Sequence, residues 1–152
     1  MGRLSKKKIG LIVFSLLAVL IIGLYSLRRK DYELNKNIRL VSWRILQYEQ
    51  ISRHRRISYR MSFSDNRYTV CSRAAGSAER WKEIASYSYE NSLRPTLPGF
   101  AIVIENGTIV SFQQEGIGSL LLFPRLLGFS LPANPARQKG ILFHKDGAWK
   151  IQ

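Results

Sequence analysis

The side chains able to do chemistry are few in this chain, and they stand apart. His54 and His144 are single histidines with no partner in sequence, and each reads as structural or solvated. Cys71 is the one cysteine, so no intramolecular disulfide can form. In a strand-like segment it reads as a small buried hydrophobe rather than a nucleophile. Glu79 and Glu83 have the i, i+4 spacing of one helix face. Arg80 and Lys82 beside them make that a solvated face rather than an acid–base pair. Neither a glycine-rich phosphate loop nor a metal-ligand spacing is present. The reading is therefore non-enzymatic, with no cofactor, no metal and no small-molecule substrate expected.

Anion contact is the chemistry that the sequence does offer. Lysine and arginine number 24 against 10 aspartate and glutamate, a formal net charge of +14. Such an excess favours nucleic acid or phospholipid headgroups as partners. Two places concentrate it. "RHRR" supplies Arg53, Arg55 and Arg56, with Arg44 and Arg60 close in sequence. The same run also reads as the solvated end of a long helix, where cations suit the C-terminal dipole. The second place is "KDGAWK" near the C-terminus. Lys145 and Lys150, with Lys139 upstream, could contact phosphates while Trp149 stacks on a base. The alternative is an edge strand with Trp149 packed inward.

These groups need elements to hold them. Residues 9–27 form 19 consecutive positions without a charge. At about 1.5 Å of rise per residue, that just spans a hydrocarbon core of about 30 Å. No A-x-A-like cleavage site follows, so a secretory signal peptide is a poor fit. Arg3, Lys6, Lys7 and Lys8 precede the segment and Arg28, Arg29, Lys30, Lys36 and Arg39 follow it, so charge bias does not fix its orientation. Beyond it, Leu34, Ile38, Val41, Ile45 and Tyr48 are spaced 4, 3, 4 and 3, an apolar stripe on a helix. No proline occurs before Pro95 and no glycine between Gly23 and Gly76, so nothing local stops the helix at the membrane surface. One helix is expected over about residues 5–54, some 75 Å long. The stripe is the face on which a globular domain could pack.

The pattern then changes to period 2. "ISYRMSFS" alternates apolar and polar residues, Asp65-Asn66-Arg67 turns, and "YTVCS" returns. Residues 72–94 are polar, with a short helix expected over about 81–87. "FAIVIE" and "TIVSF" flank Asn106-Gly107, a dipeptide suited to a two-residue hairpin turn. "SLLLF", "GILFHK" and "AWKIQ" read as further strands, and "PRLLGFSLPANPARQ" with its three prolines as a loop or lid. The fold class is α+β: one long N-terminal helix packed on six or seven mostly antiparallel strands.

This order of elements resembles the type IV pilin-like family, and more narrowly the H-type minor pseudopilins of type II secretion and related DNA-uptake minor pilins. The residues that carry the resemblance are the basic leader ending in Gly10 and the apolar "LIVFSLLAVLIIG" after it. "NIRLVSWRILQYEQISRHRRISYRMSFSDNRYTV" and the closing runs "LPGFAIVIENGTIVSF", "LLLFPRLLGFS" and "GILFHKDGAWKIQ" complete them. The resemblance implies a leader at 1–10, a transmembrane segment at 11–27, an amphipathic continuation at 28–56 and a sheet domain at 57–152. It implies cleavage after Gly10, leaving Leu11 as the mature N-terminus, open to methylation, where the family usually has Phe. The fifth mature residue, usually a Glu that pairs with a neighbouring subunit's amine, is here Ser15. A hydroxyl lacks that charge complementarity, so the implied role is a minor or tip subunit rather than a repeating one. Ser15 and the stripe of Leu34, Ile38, Val41, Ile45 and Tyr48 would belong to the assembly helix, with Gly10, Ala18 and Gly23 as small residues for packing in lipid. Implied partners are other pilin-like subunits and membrane lipid. The implied location is the bacterial inner membrane, single pass, with the C-terminal domain periplasmic or extracellular in a filament. DNA-binding minor pilins end in a Gly-Arg-x-Arg motif; Gly147 and Lys150 match its first and last positions, whereas Ala148 replaces the first Arg. Two other roles stay open: a DNA-binding minor pilin, or an uncleaved single-pass envelope domain.

Overall fold

A computed structural model describes residues 6–89, 93–96, 98–114, 118–120, 125–131, 134–144 and 146–152. The chain is α+β, with helix α1 over Lys6–Arg55 and, among the described residues, ten strands after it. It divides into two compact units, Met1–Glu33 and Leu34–Gln152.

The first unit is the N-terminal part of α1. Its large apolar residues between Ile12 and Leu27 are all exposed, Phe14 at 74% and Tyr25 at 70% among them. The most apolar window of the helix reaches a mean hydropathy of 1.8, and the helix is long and apolar enough to cross a membrane. An exposed Arg29–Glu33 pair at 3.2 Å follows the apolar run.

The second unit takes the rest of α1 as a core element. Leu34, Ile38, Val41, Ile45 and Tyr48 are all buried, none more than 7% exposed. Burial of such side chains stabilises by about 1.5–3 kcal/mol each. They pack into one core with Tyr59, Met61 and Phe63 of β1 (Ile57–Phe63) and Tyr68 and Val70 of β2 (Arg67–Ala74). The Tyr48 ring lies 4.8 Å from that of Tyr59. Arg56, at φ 51°, ends the helix, and its carbonyl accepts from the Ala75 amide.

The strands make two antiparallel sheets. The first has the order β3-β2-β1-β5-β6-β7, with β3 at Lys82–Ser88, β5 at Phe100–Glu105, β6 at Thr108–Gln114 and β7 at Gly118–Leu120. The second has the order β10-β9-β8-β4, with β4 at Arg94–Pro95, β8 at Arg125–Leu131, β9 at Asn134–Phe143 and β10 at Trp149–Ile151. Aromatic contacts join them: Phe63 meets Phe129 at 6.4 Å and Phe112 meets Phe143 at 5.2 Å.

Three expectations change. The short helix expected over 81–87 is the edge strand β3. Its inward residues Ala85 and Tyr87 alternate with exposed ones, and pairing with β2 overrides the helical spacing of its charges. The segment expected as a loop with three prolines is, in its described residues, β8 and the start of β9, which pair antiparallel; Pro124 and Pro132 lie outside the described residues. Pro135 falls in the register shift of this pairing, where β10 does not reach, so its missing N–H breaks no ladder. The strand count among the described residues rises from six or seven to ten through β3, β8 and the edge strand β4, whose two residues are too few to show a pattern. The "SLLLF" strand is described only to Leu120; its remainder lies outside the described residues.

Candidate functional site

The apolar stripe faces inward, so it closes this unit's core rather than offering a surface. What the same stretch of α1 presents outward is Leu40, Trp43 and Leu46, exposed at 43%, 54% and 43%. Their 3 and 3 spacing is legible in the sequence, but it is offset from the stripe and interrupted by Arg39 and Arg44, which hides it as a face. Gly10 and Leu11 lie in the first turns of α1, and Ser15 is an exposed residue of the same helix.

The C-terminal end of α1 is clamped by two hairpins. Asn106 and Gly107 have φ 51° and 79°, the positive pair that a tight β5–β6 turn requires. This turn lies directly on the helix. The Gly107 amide donates to the Ser52 hydroxyl at 3.4 Å, and an Arg53 terminal nitrogen donates to the Gly107 carbonyl at 3.4 Å. A Cβ at Gly107 would stand 2.6 Å from Arg53 Nε, 2.8 Å from Arg53 Cβ and 3.2 Å from the Glu49 carbonyl. The dipeptide announces a turn, but nothing in it announces a helix underneath.

The second clamp is Trp149 on β10. Its indole N–H donates to the Glu49 carboxylate, 3.2 Å from one oxygen and 3.3 Å from the other. Its ring packs half-buried against the core. Glu49 is itself buried, and burial pushes its carboxyl up from 4.5, against the opposing pull of the Trp149 donor and the Arg53 charge. On β9, Lys139 donates to the Asn35 side-chain oxygen at 2.8 Å.

The residues expected to share an anion site are thereby separated. Lys139 and Trp149 have the parity of the buried Ile141 and Phe143, facing the helix, while Lys150 pairs with Leu142 on the opposite face. Trp149 is committed to Glu49, as the inward reading of this edge strand requires. Lys145 lies outside the described residues. The arginine cluster also resolves into separate places. Arg53, Arg55 and Arg56 are exposed at the helix end. Arg44 instead lies over the Tyr87 ring at 4.5 Å and the Trp43 ring at 4.8 Å. Arg60 is on the far face of the first sheet, because β1 alternation sends Tyr59 and Met61 to the core and Arg60 away from it. Sequence proximity brought these five together; helix and strand periodicity sends two of them elsewhere.

A tyrosine-lined groove runs between α1 and the β2–β3 edge, about 240 Å³ in volume, with Asn37, Arg44, Tyr68, Tyr87 and Tyr89 among its lining. Tyr68 stacks on Tyr87 at 5.1 Å, and burial pushes its phenol up to about 12. Comparison of the chain with family models, with curated proteins and with solved structures finds no match.

Proposed function

We propose that the protein is a non-enzymatic pilin-like subunit of a type II secretion or type IV pilus-type filament machine, serving as a minor or tip subunit. The observation that supports this best is the double use of one helix. Over Lys6–Arg55 its first part keeps its apolar residues exposed, and its later part is the core of a two-sheet domain. An element exposed and apolar at one end and buried by its own domain at the other suits anchoring in lipid, with the domain held outside. The role is mechanical: α1 packs beside other subunits' helices, and the sheet domain offers its surface. Ser15 in place of a carboxylate suits a subunit without a neighbour to pair with on one side. Its place on this reading is the bacterial inner membrane, with the C-terminal domain on the periplasmic side.

Mass spectrometry of the mature N-terminus from the native host tests the reading. A chain beginning at Leu11, methylated or not, is the expected result. An intact Met1 would overturn prepilin processing and leave an uncleaved anchored domain. A second reading, DNA binding in uptake, draws on the exposed Arg53, Arg55, Arg56 and Lys150.

A further inference from the structure

The outer face of the first sheet, turned away from α1, carries polar groups that the fold leaves unpaired. The register sets Ser58 opposite Arg73 and Tyr59 opposite Ile104, which brings Arg73, Ser58 and Glu105 into one row across β2, β1 and β5. Arg73 reaches along that row to Glu105, 3.5 Å away, and its guanidinium lies 4.2 Å from the centre of the Trp81 ring. Beneath this arch Ser58 is completely buried, and its hydroxyl has no hydrogen-bond partner. The next row on the same face is Glu83, Cys71, Arg60 and Val103. Arg60 is half-buried there, and its Nε–H is enclosed without an acceptor, as is the Nε–H of Arg73.

Two guanidinium N–H groups and a hydroxyl thus lie in neighbouring rows of one sheet face, each without a hydrogen-bond partner. Buried donors without acceptors are costly. Two arginines at diagonal cross-strand positions also repel unless an anion lies between them. Oxyanions answer both demands, because guanidinium donors recognise them through charge-assisted, often paired hydrogen bonds. Glu105 meets this need only in part: its carboxylate reaches one terminal nitrogen of Arg73, in a pair about three-tenths exposed. Glu83 lies across Cys71 from Arg60 and adds a second carboxylate at the rim.

We propose that Ser58, Arg60 and Arg73 form an oxyanion site on the outer face of the first sheet, with the Glu105 carboxylate as a resident occupant that an incoming phosphate group displaces. Displacement swings Glu105 away, frees the Arg73 arch and opens the way to the Ser58 hydroxyl. Trp81 reports the change, since its ring lies 4.2 Å from the Arg73 guanidinium whose carboxylate partner is exchanged. The site is separate from the exposed arginines at the end of α1 and does not depend on the filament reading.

The test uses the full-length chain in detergent, titrated with sodium phosphate against sodium chloride at matched ionic strength. Thermal midpoint and tryptophan emission are followed, with Trp81→Phe identifying the reporter. A saturable rise in midpoint is expected for the wild type. Arg60→Gln should weaken the phosphate affinity at least tenfold, and Glu105→Gln should strengthen it severalfold by removing the competitor. Ser58→Ala, which preserves the backbone and nearly the volume, serves if Arg60→Gln does not fold, and it should weaken binding too. The same emission change in phosphatidylglycerol nanodiscs without added phosphate assigns the oxyanion to a lipid headgroup. A change seen only with dissolved phosphate assigns it to a soluble ligand. Identical phosphate responses in the wild type, Arg60→Gln and Glu105→Gln would overturn the site.

Discussion

Replacing Gly107 by alanine should break the clamp between the β5–β6 turn and the end of α1. Two penalties combine. The first is conformational: Gly107 sits at φ 79°, where a Cβ costs roughly 1–2 kcal/mol. The second is steric. Arg53 Nε, 2.6 Å from the added carbon, is part of a flexible chain and can move away. Arg53 Cβ at 2.8 Å and the Glu49 carbonyl at 3.2 Å belong to the helix itself, so the turn must lift off it. Lifting breaks the bond from the Gly107 amide to the fully buried Ser52, worth about another 1–2 kcal/mol. The expected loss is about 2–4 kcal/mol, or roughly 8–16 °C in midpoint for a domain of this size. Gly76→Ala is the internal control, because Gly76 has φ 75° and nothing within 4 Å of an added Cβ. It carries the conformational penalty alone. Thermal unfolding of both variants in the same detergent separates the two effects. Equal losses at the two glycines would refute the steric half of the reasoning, and with it the close approach of turn to helix.

The remaining predictions concern charge. Glu49 has its carboxyl raised by burial, so the folded chain binds its proton more tightly than the unfolded chain does. Stability from this group is therefore full below pH 4.5 and falls as the pH rises through the folded value. Glu49→Gln keeps an acceptor for Trp149 but removes that dependence, so its midpoint relative to wild type should climb between about pH 4 and pH 8; a flat difference would count against a buried, titrating Glu49. If the protein binds DNA through its exposed cations, affinity should fall steeply with salt, and Lys150→Ala should reduce the slope by about 1 in a double-logarithmic plot. Salt-insensitive or undetectable binding would remove that reading.

The helix was the most legible part of the fold, because 4-3-4-3 spacing without proline or glycine matches the turn of a helix and clashes with the alternation of a strand. Strands β1, β2, β5 and β6 were legible for the related reason that each buries one face and joins its partner through a short polar turn. β3 was not: Lys82 and Glu83 open it, and the inward alternation of Ala85 and Tyr87 begins only afterwards. The β8–β9 hairpin was hidden by prolines that local rules place in loops, while its tolerance for Pro135 depends on how far β10 extends. The clamps on α1 were invisible for a different reason. Trp149 finds Glu49 across 100 residues and Lys139 finds Asn35 across 104, and no local pattern encodes such a meeting. Arg60 was misplaced because its neighbours in the chain are not its neighbours in the sheet.

Those two distant contacts bear on how the protein is made. The stripe on α1 leaves the ribosome before the strands that complete its cover, β10 at Trp149–Ile151 among them. Loop closure across so much chain is slow, and incomplete sheets expose apolar surface and unpaired edges. The nascent helix therefore waits with its buried face incompletely covered until synthesis has passed β10. During that interval it is a substrate for chaperones and proteases, and loss of even the last few residues would leave it one for good.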